Sequence, residues 1–494
     1  MFVYNGVEPF FLFLACLVVS MVAIFWRKKH AVCIPACFLA VFFLGMMRMA
    51  VSGIVIEDGE QDMTRGAIQV DMFGIVSAEP TITQSRQILP VRISHISGME
   101  TGHALKDIRV FTTLIPSYQY GDELHVRCSL LPAQNKNGVR SRIVAPPICV
   151  QADIRRISRG KGSGVLSFLL QGKELFLNAI RTHLSEPHAS LLGALLVGER
   201  NGFPKWLTDA FVRSGILHIV AISGYNITIM IVSMYTILRG FSVGRKKSFW
   251  YLVFGVFCFV LITGSSASVV RAALMGVVAL FASTIGRKNN AGNAILLAGG
   301  VMIFWQPATL FDIGFQLSFV ATCGLVYISP IFEQICEKFF DAYGIKTLAL
   351  QTLSATIVTA PLLIFSFQRF SVIALVVNIL VLPVIPLAMT LGFFWTGFAF
   401  IAGIVGMVIH LPFDLLIQIT SWPVWFLLSY IVFVAQWFSH IPWASVDVRL
   451  GEWNWVFVYI SYVCIVWLVW IYSVSLKKRQ GVIQCKNTQK SRHD

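Results

Sequence analysis

A histidine, a serine, a glycine and an asparagine share one apolar stretch, His218-Ile219-Val220-Ala221-Ile222-Ser223-Gly224-Tyr225-Asn226-Ile227. Three chemistries fit these residue types. A histidine and a serine can act as base and nucleophile, but five positions along one continuous helix set His218 and Ser223 roughly 140° apart, so such a pair needs a partner from another helix. An imidazole and an amide can instead line a wet path through a membrane, because a lipid-facing ionisable group costs at least a few kcal/mol. The third reading is packing alone, with His218 hydrogen-bonded across helices and Gly224 as a close-contact site.

Three further segments combine polar groups with helix-breaking residues. Ile262-Thr263-Gly264-Ser265-Ser266-Ala267-Ser268 leads to Arg271, Gly314-Phe315-Gln316-Leu317-Ser318 follows Asp312, and Thr359-Ala360-Pro361 precedes Asn378 and Pro383-Val384-Ile385-Pro386. Four such segments in one bundle point to a translocation path through His218, Ser223, Gly224, Asn226, Arg271, Gln316, Ser318 and Asn378, with helix breaks at Gly264, Pro361, Pro383 and Pro386. Arg271 stands near the outer end of a span. There it can snorkel to the headgroups or meet phosphates in the path, balanced at rest by Asp312.

The elements that must position these residues are membrane helices. Of 494 residues, 56% are hydrophobic and 13% charged, which excludes the soluble globular classes. The formal charge of +15 is concentrated beside apolar runs, at Arg27-Lys28-Lys29, Arg239 with Arg245-Lys246-Lys247, Arg287-Lys288 and Lys477-Lys478-Arg479. That placement orients a membrane protein by the positive-inside rule and argues little for a nucleic-acid surface. Residues 1–51 read as two transmembrane helices with the N-terminus outside, the first an uncleaved helix. Residues 161–214 carry too many charges and prolines for a clean span and read as interfacial amphipathic helices. A bundle over 215–476 has spans near 216–238, 248–263, 269–286, 293–306, 313–331, 346–366 and 453–475, with a broken region between 371 and 440. The basic tail, 477–494, is placed in the cytoplasm.

Residues 52–160 differ, with short alternating runs bounded by Pro80, Pro90, Pro116, Gly121 and Pro132. They predict a small extracytoplasmic all-β barrel or sandwich. Two of the ten cysteines, Cys128 and Cys149, lie here, either bridged or as two buried thiols; the oxidising face favours the bridge. Twelve Lys/Arg against eleven Asp/Glu give about +1, and aromatics are few: Phe73, Phe111, Tyr118 and Tyr120. A strong nonspecific grip on DNA would need the charges to segregate by face.

The run Gly215 to Asn226 resembles the signature of the ComEC family of competence membrane proteins. So do Ala189 to Arg200, Thr263-Gly264 with Ser268, Arg271, Ala272 and Met275, Gly314 to Phe319, and Thr359-Ala360-Pro361 with Asn378, in order over about 185–390. The resemblance implies a polytopic α-helical membrane protein of about ten or eleven crossings, some broken, with an OB-like β domain. It implies a channel component for uptake of single-stranded DNA across the cytoplasmic membrane in natural transformation, not an enzyme and without cofactor or metal. Single-stranded DNA, the lipid bilayer, a separate nuclease, other DNA-uptake proteins and further copies of the chain are the expected partners. Asn226 stands where many relatives carry histidine. The ten histidines contain no H-x-H-x-D-H run, so the nuclease domain of many relatives is expected to be absent. The alternative is a secondary transporter of a small anionic or lipid solute built on the same broken helices.

Overall fold

A computed structural model describes residues 68–83, 86–96, 107–131, 148–199, 202–220, 224–284, 291–337, 341, 344–409, 414–448, 460–461 and 464–465. The two helices expected over 1–51, Ser223, the basic tail and most of the span expected over 453–475 lie outside the described residues.

Alternation of apolar and polar side chains produces six strands, β1 (Ile68–Val76), β2 (Thr81–Thr83), β3 (Arg86–Ile96), β4 (Asp107–Thr112), β5 (Glu123–Leu131) and β6 (Ile148–Ser158). Their order is β1-β5-β6-β4-β3-β2, and β1 also pairs with β3, so hydrogen bonding runs round five strands and back to its start. Only the β4–β6 contact is parallel among these pairings. Met72, Val76, Leu89, Val91, Ile108, Val110, Leu124 and Val126 fill the interior, each contributing about 1.5–3 kcal/mol of burial. Cys128 and Cys149 belong to the same core and are bonded to each other across β5 and β6, their Cα atoms 5.8 Å apart.

Fourteen helices follow among the described residues: α1 (Gly164–His183), α2 (His188–Val197), α3 (Lys205–Ser214), α4 (Leu217–Val220), α5 (Gly224–Gly240), α6 (Arg245–Ile262), α7 (Ala267–Thr284), α8 (Ala291–Trp305), α9 (Ile313–Cys323), α10 (Ser329–Ile335), α11 (Ile345–Phe367), α12 (Ala374–Val381), α13 (Val384–Ile409) and α14 (Asp414–Ser439). A single π turn, Gly324–Ile328, joins α9 to α10 into one apolar rod. Among the described residues, five segments are long and apolar enough to cross a membrane: α7, the α9–α10 rod, α11, most of α13, and α14. The protein is a multi-pass membrane protein, and the exposed Phe254, Phe281, Phe394, Trp422, Phe426, Phe433 and Trp437 are the side chains such a protein turns to lipid.

Two packing groups make up the helical part. In the first, α7 is the hub and touches α5, α6, α8 and α9. In the second, α1 to α4 pack with α12, α13 and α14 around one large core. A two-stranded sheet of β7 (Arg369–Ser371) and β8 (Ser445–Asp447) ties the end of α11 to the chain beyond α14, with Arg369 Nε donating to Asp447 Oδ1 at 2.7 Å. Gly215 lies against this clasp with φ +78°, and a Cβ there would come within 2.5 Å of the Ala374 Cβ. Only glycine meets both demands.

Two expectations are corrected here. Within 161–214, read as interfacial amphipathic helices, α2 departs from the amphipathic pattern: its residues from Ala189 to Leu196 are buried and it packs on α13 and α14, while α1 and α3 each have one buried and one exposed side. The α2 sequence, HASLLGALLV, has no polar face, and a helix that is apolar all round is stable only inside. Pro361 does not break its helix: α11 continues for six residues beyond it, with the proline ring buried among neighbours. Pro383 lies in the short gap between α12 and α13, and Pro386 is the third residue of α13, where its missing N–H has no intrahelical partner to lose. Gly264, at φ +78°, turns the chain just after α6.

Candidate functional site

Arg271 is the fifth residue of α7, the hub helix, and is 6% exposed. Two neutral oxygens on α9 meet its guanidinium: Nη1 donates to the Ser318 carbonyl at 2.7 Å and to Thr322 Oγ1. Thr322 Oγ1 in turn donates to the Ser318 carbonyl at 2.7 Å, and Ser318 Oγ is 3.0 Å from Ser268 Oγ. On the third side stands Gly224, the first residue of α5, where a Cβ would lie 3.3 Å from the Ala272 Cβ and 3.9 Å from Arg271 Nη2. Helices α5, α7 and α9 therefore converge on one cation. Its Nε is buried with no hydrogen-bond partner among the described residues.

No acidic side chain forms an ion pair with Arg271 among the described residues. The expected balance by Asp312 is thus corrected. Asp312 is exposed and spends its carboxylate on the start of α9, where Oδ1 accepts from the Phe315 N–H at 2.7 Å. An N-cap satisfies a donor that the helix itself cannot, and it removes this carboxylate from the role of counter-ion. What remains at Arg271 is a buried positive charge held by neutral acceptors, with part of its donor fork unused. Unused guanidinium donors are of the kind that bind phosphate or carboxylate oxygens.

The other expected path residues are placed apart from this cluster. Asn226 is 2% exposed, and its Nδ2 donates to the Leu195 carbonyl of α2 at 3.1 Å, so it joins the two packing groups. Gln316 Nε2 donates to the Leu310 carbonyl at 2.8 Å. Its neighbours Ile303, Leu310, Phe315, Phe319, Val320 and Leu362 line an apolar cavity of about 200 Å³ that does not include Arg271. Asn378 on α12 is 5% exposed with Oδ1 unpartnered, within the second packing group. His218 is exposed on α4, its Nδ1 3.1 Å from the Gly215 carbonyl. Of the eight path residues, Gly224, Arg271 and Ser318 come together. Thr322 was missed; it lies one turn after Ser318 on the same face of α9, a spacing of four that could have flagged it.

No group of three or more His, Cys, Asp or Glu among the described residues could hold a metal ion.

The family model described as "Competence protein" matches residues 195–473, which holds every member of the Arg271 cluster. The chain is 31% identical over 193 residues to "ComE operon protein 3" of Bacillus subtilis (strain 168), covering 39% of this chain and 24% of that protein. It therefore spans about a quarter of the length of this curated relative. No solved structure matches the chain. The β domain, 68–158, lies wholly outside the family match. With more than half of its residues under that model, the chain belongs to the Competence protein family.

Proposed function

We propose that the chain is a channel component that carries single-stranded DNA across the cytoplasmic membrane during competence, and that Arg271 is the cation the phosphates meet. The observation that carries this reading is the buried guanidinium without a carboxylate partner, placed where three helices of the family-matched region converge. Keeping a charge this way costs several kcal/mol, an expense explained by a polyanion that comes and goes. Ser318, Ser268 and Gly224 border the path with it; Asn226, Gln316 and Asn378 hold the surrounding helices.

The topology we propose has ten or eleven crossings, the N-terminus outside and the C-terminus in the cytoplasm. Pairing of β7 with β8 supports it, since the ends of α11 and α14 must then share a side. Strict alternation from there puts Arg239, Arg245, Lys246, Lys247, Arg287 and Lys288 on the opposite side, the inside by the charge rule. The barrel then stands outside as an OB-like domain. Residues 1–51, 52–160, 215–476 and 477–494 keep the roles of entry helices, outer domain, bundle and tail. Partners on this reading are the strand itself, the bilayer, a separate nuclease, other uptake proteins and further copies of the chain. The chain itself performs no hydrolysis.

The test follows labelled DNA in a transformable strain carrying Arg271→Ala. Surface-bound DNA should persist while the cytosolic fraction disappears; normal cytosolic entry would refute the role.

A further inference from the structure

A second buried cation has the opposite surroundings. Lys173, nine residues into α1, has a side chain 4% exposed, and its Nζ lies 2.5 Å from Glu79 Oε2 and 2.9 Å from Glu199 Oε2. The three groups come from three units: Glu79 from the β1–β2 connection of the barrel, Lys173 from α1, and Glu199 from the turn that ends α2. This cluster is a direct charged tie between barrel and bundle, with two carboxylates beside one ammonium.

The two carboxylates are not equivalent. Glu199 is 6% exposed and fixed beside α2, whereas Glu79 is 29% exposed and sits on a loop. Burial pushes the Glu79 carboxyl up from its ordinary range, against the pull of Lys173. If Glu79 leaves, Lys173 keeps its buried ion pair with Glu199, and the Glu79 carboxylate goes out to water. If Glu199 were neutral, Lys173 would keep its pair with Glu79. The barrel is therefore held by the member of the cluster that is cheapest to lose.

We infer that Glu79, Lys173 and Glu199 form a releasable latch, which docks the outer barrel on α1 and lets it lift as a rigid lid without unfolding the bundle. The latch also abuts the Arg271 region: Leu195, four residues before Glu199, accepts the hydrogen bond from Asn226, two residues beyond Gly224. The inference rests on the ion cluster and stands whether or not the chain conducts DNA.

The test uses the full chain in lipid nanodiscs, with spin labels on ketone-bearing residues introduced at Ser94 of the barrel and Val372 of the bundle, and pulsed dipolar distance measurement. Glu79→Gln should raise the displaced population at least about tenfold over the unsubstituted chain, the loss expected for one charge-assisted hydrogen bond. Glu199→Gln should leave it unchanged or lower it, because the remaining pair is then balanced. Glu337→Gln, at an exposed position just after α10, should match the unsubstituted chain and calibrates the measurement. A Glu79→Gln distribution that overlays the unsubstituted one overturns the latch. So does equal release by Glu79→Gln and Glu199→Gln, which would mark the cluster as ordinary structural glue.

Discussion

Arg271 and Lys173 are two nearly buried cations in one chain, and their partners divide their roles. Lys173 has two carboxylates within 2.9 Å; Arg271 has a carbonyl, a hydroxyl and an unpartnered Nε. A paired charge has its partners within the chain, and removing it strands them. An unpaired charge is a poor structural choice and is explained by a ligand that supplies the missing negative charge. The same contrast separates the regions around them: the Arg271 cluster lies inside the family-matched segment, whereas Lys173 and Glu79 both lie outside it and only Glu199 falls within.

The contrast is broken or sharpened by substitution. Lys173→Met should show the largest effect, a loss of about 3–5 kcal/mol in unfolding of the solubilised chain, since Glu199 stays buried without the ammonium 2.9 Å from it. A loss under about 1 kcal/mol would show that the carboxylates reach water and that Lys173 is no better paired than Arg271. Cys128→Ser should lower barrel stability by about 3 kcal/mol through the 21-residue loop it opens, with the bundle transition unchanged. Two transitions moving together would deny that the barrel is a separate unit able to lift. Arg271→Met should change bundle stability by only about 1 kcal/mol, in either direction, because no counter-charge is stranded. A drop as large as that of Lys173→Met would erase the distinction.

The smallest effect is a pH dependence confined to the barrel. Burial works to raise the Asp71 carboxyl, but hydrogen bonds from His125 and Arg127 outweigh it and hold the group below its ordinary range. A depressed acid stabilises the fold above its unfolded pKa, and that contribution is lost as pH falls through the folded value. Barrel unfolding followed below about pH 4 should therefore become easier with each step in acid. Asp71→Asn should flatten this slope, and an unchanged slope would assign the acid sensitivity to other carboxylates.

Much of the architecture was legible in the chain because it rests on local periodicity. The apolar runs near 248–263, 269–286, 293–306 and 346–366 became α6, α7, α8 and α11 within a few residues, and the alternating runs of 52–160 became strands. Misreadings arose where a segment's fate depends on distant neighbours. Charges and prolines from Lys173 to Arg213 make 164–214 read as interfacial, although α2 contains none of them and is buried from Ala189 to Leu196. The pairing of Lys173 is not legible in the chain, because its partners stand 94 residues before and 26 residues after it. At Arg271 the ion was legible but its partner was not: Asp312 was the nearest carboxylate in the motif, and the helix it caps claims it first.

The central claim is that Arg271 serves a passing anion rather than the fold. Its most direct measurement sets cytosolic entry of labelled single strands beside the amount of folded, membrane-inserted protein for Arg271→Met. The account predicts normal levels of stable protein with cytosolic entry lost and surface binding kept. Entry that persists, or that falls only in step with the loss of folded protein, would contradict it.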